Sequence, residues 1–126
     1  MKITAFCTLA ALAVCLSAPP VSAGDPAPVE LIMFDQDHCE WCERWEEEIG
    51  VVYAKTPEGK AAPLRRIDIH DDRPEPLTAI KGVAFTPTFV LIENGKELGR
   101  IAGYPGEDFF WPMLAQLLEK REEATD

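Results

Sequence analysis

The sequence predicts an α/β fold: a mixed central sheet of about four strands, in the order β-α-β-α-β-β-α, with helices on both faces. Three observations carry this. "VELIMF" (29–34), a near-continuous apolar run of strand length, reads as a strand buried on both faces, and "TFVLIE" (88–93) as a further strand. Between them, the stretch after Cys39 takes up helical spacing, with Trp41, Trp45, Ile49 and Val52 on one side. After the second run comes Asn94-Gly95 followed by "KELGRIAG", the strongest short-range hairpin signal.

The remaining elements fall around these. "GDPAP" (24–28) has no core-forming pattern, and "DQDH" ends the first strand. Gly50 lies within the helical pattern, where it is expected to loosen or kink the helix. "KTPEGKAAP" reads as a turn-rich loop, "LRRIDI" (64–69) as a further strand, and 77–81 as a short helix closed by Gly82. The last element, roughly 106–120, is expected to bury Phe109, Phe110, Met113, Leu114, Leu117 and Leu118, with Pro112 delaying or bending its start. A β-α-β unit closes through a right-handed crossover, and the hairpin then adds an antiparallel edge. Covering such a sheet on both faces is the economical way to bury it.

The first residues point to export. Met1-Lys2 opens with a positive charge, residues 3–16 are uncharged and largely apolar, and Val21-Ser22-Ala23 places small residues where signal peptidase reads. A signal peptide over 1–23 and one domain over 24–126 are therefore expected, the apolar run being short of the ~20 residues of a membrane span. Val14 before Cys15 is too large for a lipidation site, so Cys7 and Cys15 leave with the signal and no stable membrane anchor remains. The exported chain then carries 11 basic and 22 acidic residues, which argues against nucleic acid and anionic membranes as partners. Nothing in a single small domain signals self-association, so a monomer is expected.

The chemistry lies in "DHCEWCERW" (37–45), where Cys39 and Cys42 form a C-x-x-C. Such a pair can be a redox couple, half of a metal site, or an inert bridge. An exported pair is expected to oxidise, yet closing so short a loop removes little entropy from the unfolded chain. A Cu(I) module would draw on both thiolates and a histidine, whereas a structural zinc site wants four ligands and would have to use both His38 and His70. Glu43 after Cys42 excludes covalent C-x-x-C-H haem attachment. At a helix start, unpaired N–H groups and the macrodipole stabilise an anion, so Cys39 is expected to be the exposed, attacking thiol. Cys42, one turn inward, would then resolve the mixed disulfide. Glu40 beside Cys39 opposes the thiolate and so favours a more reducing couple, whereas a protonated His38 would act the other way. Trp41 offers a flat apolar contact or packs on its own domain.

In "VELIMF", "CEWC" and "GVAFTPTFVLIENGKELGRIAGY" the chain resembles the thioredoxin family. The resemblance implies a thioredoxin-like fold, no cofactor beyond a redox-active Cys39–Cys42 disulfide, no metal, and a cis-proline at Pro87 facing that disulfide. Thr86 and Pro87 would then dock a substrate segment. "CERWEEEIGVVYAKTPEGKAAPLRRIDI" is similar to the small periplasmic thioredoxins of bacterial sulfur-oxidation clusters, the SoxS type. That likeness implies a periplasmic oxidoreductase that keeps a cysteine of a SoxYZ-type sulfur carrier reduced, with a membrane thiol transporter as electron donor. A disulfide oxidant or isomerase for exported proteins is the other role the same residues allow. The chain departs from ordinary thioredoxins at His38, where they carry tryptophan, at Glu40-Trp41, where they carry Gly-Pro, and at Met33, where they bury an acid that assists resolution. Asp35 and Asp37 are nearby in sequence, on the far side of Met33 toward the cysteines.

Overall fold

The computed structural model describes residues 28–125. The expected signal peptide, 1–23, lies outside the described residues. Four strands form one sheet in the order β2-β1-β3-β4: β1 is Val29–Asp35, β2 Leu64–Asp68, β3 Thr88–Glu93 and β4 Lys96–Ala102. β1 and β2 are parallel, while β3 runs antiparallel to both β1 and β4. Asn94 and Gly95 both take positive φ, 49° and 78°, as the tight turn between β3 and β4 requires.

Strand alternation divides the core in two. Leu31 and Met33 of β1, with Phe89 and Leu91 of β3, face the helices, and Ile32, Phe34, Val90 and Ile92 face the other way. The first face is covered by helix α1, Glu40–Trp45, and by α4, Glu107–Thr125. On the second, Leu77 and Ile80 close over Ile67 from a single 3₁₀ turn, Leu77–Ala79, set in irregular chain. An α-helix was expected there; prolines at 74 and 76 and Gly82 (φ 68°) leave room only for that turn.

α1 runs on through a π-helical turn, Glu46–Gly50, into α2, Val51–Tyr53. The wider turn adds a residue to the repeat, so Trp45, Ile49 and Tyr53 point inward at four-residue intervals. One expectation of α-helical periodicity fails as a result, Val52 being 42 % exposed; Trp41, ahead of the π-helical turn in the first turn of α1, is also 51 % exposed rather than on the core face. Tyr53 takes the place of Val52 and donates its hydroxyl proton to the Ala62 carbonyl at 2.7 Å. The segment read as loop contains α3, Pro57–Ala61, capped by Thr56, whose Oγ1 accepts from Gly59 N–H at 3.0 Å. A threonine cap followed by proline at the first helical position was the signal for it.

In α4 the buried stripe is Phe110, Leu114 and Leu117, with Trp111 and Leu118 half-buried. Phe109 (64 % exposed) and Met113 (39 %) stand off it. Pro112 does not delay the helix, which begins at Glu107. Its missing N–H costs one ladder bond in the second turn, which the rest of a 19-residue helix carries.

Trp45 is the centre of the larger core, its ring 5.1 Å from Phe89, 5.8 Å from Phe110 and 6.1 Å from Tyr53. Truncating a fully buried aromatic removes its transfer energy and leaves a cavity. Trp45→Ala is therefore expected to cost roughly 3–5 kcal/mol in equilibrium urea unfolding. A loss under about 1 kcal/mol would mean that this side chain does not hold α1 to the sheet.

Candidate active site

β1 ends at Asp35, and a three-residue turn returns the chain to start α1. His38 takes a left-handed φ of 58° in that turn, which reverses the backbone into Cys39. Cys39 is the N-cap of α1, with extended backbone, and its Sγ accepts from the Cys42 N–H at 3.1 Å. Cys39 carbonyl accepts from Glu43 N–H at 3.0 Å, so the first turn closes around the cysteine pair. The two sulfurs are joined in a disulfide with a Cα–Cα distance of 5.2 Å.

Exposure does not separate the two cysteines. Cys39 is 7 % exposed and Cys42 8 %, which corrects the expectation that Cys39 is the open member of the pair. The bridge holds both sulfurs against the core formed by Trp45 and Phe89. What distinguishes them is the helix: a backbone N–H of the first turn points at the sulfur of Cys39.

The other half of the site comes from the chain leading into β3. Phe34 pairs with Thr88 in the sheet, which brings the residues before Thr88 alongside the end of β1. Gln36 Nε2 donates to Thr86 Oγ1 at 2.8 Å, and His70 Nε2 meets Gln36 Oε1 at 3.0 Å. The Thr86-Pro87 peptide is cis, Pro87 is buried, and its carbonyl accepts from Gly103 N–H at 2.7 Å. Thr88 Oγ1 donates to the Phe85 carbonyl at 2.7 Å.

Two clefts flank this arrangement. One, of about 500 Å³, is lined by Trp41, Phe85, Thr86, Ala102, Gly103, Tyr104 and Pro105. Trp41 and Phe85, 51 % and 70 % exposed, form its apolar walls. The second, about 260 Å³, has Cys39 and Cys42 in its wall, with Met33, Asp35, His38, Glu43, Glu46 and Arg66 among the other lining residues. Glu40 is exposed on the first turn of α1 and Arg44 sits over the Trp41 ring at 5.7 Å.

The sequence had not singled out Phe85, Gln36 or the pairing behind the first cleft, where Tyr104 donates its hydroxyl proton to Glu48 Oε2 at 2.5 Å and Arg44 Nε donates to Glu48 Oε1 at 2.9 Å. The Tyr104 hydrogen bond, then Arg44, hold the Glu48 carboxyl below its usual range. Burial first, then the same carboxylate, push the Tyr104 phenol up. An aromatic residue immediately before Thr86-Pro87 was the available signal for Phe85. Among the described residues no group of three or more His, Cys, Asp and Glu side chains gathers as a metal site, and no helix is long and apolar enough to cross a membrane.

The family model of a thioredoxin-like domain matches residues 23–118. The chain belongs to the thioredoxin family. It is 49 % identical to the periplasmic thioredoxin SoxS from Paracoccus pantotrophus, in its reduced form, over 74 % of this chain and 98 % of that one, with a TM-score of 0.69. The thioredoxin NaTrxh from Nicotiana alata is 25 % identical over 71 % of this chain and 72 % of that one, with a TM-score of 0.53. The Fasciola hepatica thioredoxin is 25 % identical over 70 % and 79 %, with a TM-score of 0.52. No curated protein matches the chain significantly. Family membership and the Cys39–Cys42 bridge make this a thioredoxin-like dithiol–disulfide oxidoreductase.

Proposed function

We propose that the protein is an exported, periplasmic reductant that returns a cysteine of a SoxYZ-type sulfur carrier to the thiol state, drawing electrons from a membrane thiol transporter. The observation that carries the exchange chemistry is the Cys42 N–H pointing at Cys39 Sγ, which makes Cys39 the attacking thiolate. A thiol attacks a disulfide only as thiolate, and a helix-start amide donates to that anion. Cys39 thiolate attacks the partner's mixed disulfide, forming a Cys39–partner bond and expelling the outer thiolate. Cys42 thiolate then attacks Cys39 Sγ, closing the bridge and releasing the partner thiol. The choice of partner and compartment is supported by the likeness to a periplasmic SoxS, spread over nearly all of that protein's length.

Thr86 borders the cleft in which an extended partner segment can lie, its backbone pairing with that segment as a short strand, and the buried Pro87 fixes the turn that presents it. Trp41 and Phe85 give that segment apolar walls. His38 and Glu40 set the charge around Cys39. The test is a purified sulfur carrier whose cysteine is capped as a mixed disulfide. The reduced protein should release the cap stoichiometrically as its own Cys39–Cys42 bridge forms. Failure to uncap the carrier, with small disulfides still reduced, would move the partner elsewhere. Phe85→Ala should raise KM for the capped carrier roughly tenfold, because apolar contact area is lost from binding, and leave the reaction with a small disulfide unchanged. An unchanged KM would remove Phe85 from the docking surface.

A further inference from the structure

Both directions of the exchange need a proton moved at Cys42. That thiol must lose a proton before it attacks Cys39, and the thiolate must regain one when the bridge is opened. Cys42 is 8 % exposed. The wall beneath it is formed by β1, where Met33 is buried and has no group that titrates. Alternation along β1 places residue 35 on the same face as residue 33, one pleat further toward the strand end. Asp35 accordingly lines the same 260 Å³ cleft as Met33, Cys39 and Cys42. We propose that Asp35 is the proton acceptor and donor for Cys42, acting across this solvent-open cleft.

Four carboxylates reach the cleft, and they are not equivalent: Asp37 is exposed in the turn after β1. Glu46 is hydrogen-bonded to Arg66 Nη2, and Glu43 lies on the exposed side of α1. Arg66 sits beside Met33 in the parallel β1–β2 register and spans Glu46 and the Trp45 ring. Asp35 is half-buried at the end of β1. Burial pushes its carboxyl up, and Asp68 and Asp37 push it further, against Arg66 and a backbone hydrogen bond. His38, in the turn, and Glu43 and Glu46, on α1, complete the charged surroundings. A carboxyl raised toward neutrality is a better proton partner for a thiol than one at its ordinary value.

The inference rests on the reading that Cys39 attacks and Cys42 resolves. In the mixed disulfide, the Cys42 proton passes to the Asp35 carboxylate. The Cys42 thiolate forms the bond to Cys39 Sγ while the bond from Cys39 to the partner sulfur breaks. The partner leaves as thiolate with that electron pair and is protonated by water, and Asp35 returns its proton to water.

The fully reduced protein, mixed rapidly with the aromatic disulfide of nitrothiobenzoate, reads the two steps apart. The first equivalent of coloured thiolate reports attack by Cys39 and the second reports resolution by Cys42. Asp35→Asn should give the first equivalent at the wild-type rate. Its second should be slowed roughly tenfold or more below the ordinary thiol pKa of about 8.5, converging on wild type above it. Asp35→Glu, which keeps the carboxylate, should recover most of the second rate. A second equivalent at the wild-type rate and pH profile in Asp35→Asn overturns the proposal, as does slow resolution in Glu46→Gln but not in Asp35→Asn. A first equivalent released at the wild-type rate by Cys39→Ser, with only slow release by Cys42→Ser, would instead sink the division of roles between the cysteines, a separate failure.

Discussion

The Cys39→Ser protein is expected to have no disulfide reductase activity, and Cys42→Ser to stop halfway with its partner attached. The asymmetry follows from the start of α1. The Cys42 N–H donates to Cys39 Sγ, so the charge that develops on Cys39 is met by a backbone donor already in place. Serine at 39 leaves no thiolate to begin the exchange. Serine at 42 leaves the first step intact, with nothing to break the Cys39–partner bond. The trapped adduct should appear as a discrete, reductant-sensitive species on non-reducing gels when the capped carrier is incubated with reduced Cys42→Ser. In the wild-type dithiol, Cys39 should alkylate before Cys42 near neutral pH, the ground being thiolate stabilisation rather than exposure. Faster alkylation of Cys42, or an adduct formed only by Cys39→Ser, would reverse the two roles.

Much of this site was legible as sequence because it is local. A C-x-x-C beside a helix start, a Thr-Pro before an apolar strand, and an Asn-Gly turn are short-range patterns whose backbone consequences follow from the residues themselves. β3 occupies the expected residues, and β1 and β2 differ from expectation by one residue at an end. What escaped depends on tertiary placement. The inward turn of Tyr53 in place of Val52 needs the π-helical turn, which a 3.6-residue repeat does not contain. The near-equal burial of Cys39 and Cys42 arises from Trp45 and Phe89 behind the closed bridge, beyond what helix position alone conveys. Phe85 looked like one more apolar residue, and only the fold leaves its ring in solvent beside Thr86. Asp35 was visible as a nearby acid, but its role turns on which face of β1 meets the disulfide. The cysteine pair and the Thr86-Pro87 turn were legible; the residues that line the clefts beside them were not.

The midpoint potential is expected to lie nearer the roughly −270 mV of thioredoxin than the strongly oxidising value of about −120 mV. The potential reflects how far the protein stabilises the dithiol, with its Cys39 thiolate, against the disulfide. The helix-start N–H favours the thiolate, while Glu40, next in chain and exposed, sets a negative charge beside it. That repulsion disfavours the reduced form and so makes the couple a stronger reductant. Glu40→His should relieve it and move the midpoint upward, by about 30 mV for each tenfold gained in the equilibrium constant for reduction. Lower pH should enlarge the shift, since a protonated histidine replaces repulsion with attraction. Equilibration of both proteins with a dithiol buffer, scored by the fraction of bridged protein, measures the two values side by side. A native midpoint close to −120 mV, or a Glu40→His protein that becomes more reducing, would remove both the reductant role and this account of Glu40. The same two cysteines would then oxidise exported thiols, with Cys39 receiving the attack and Cys42 leaving as the thiolate.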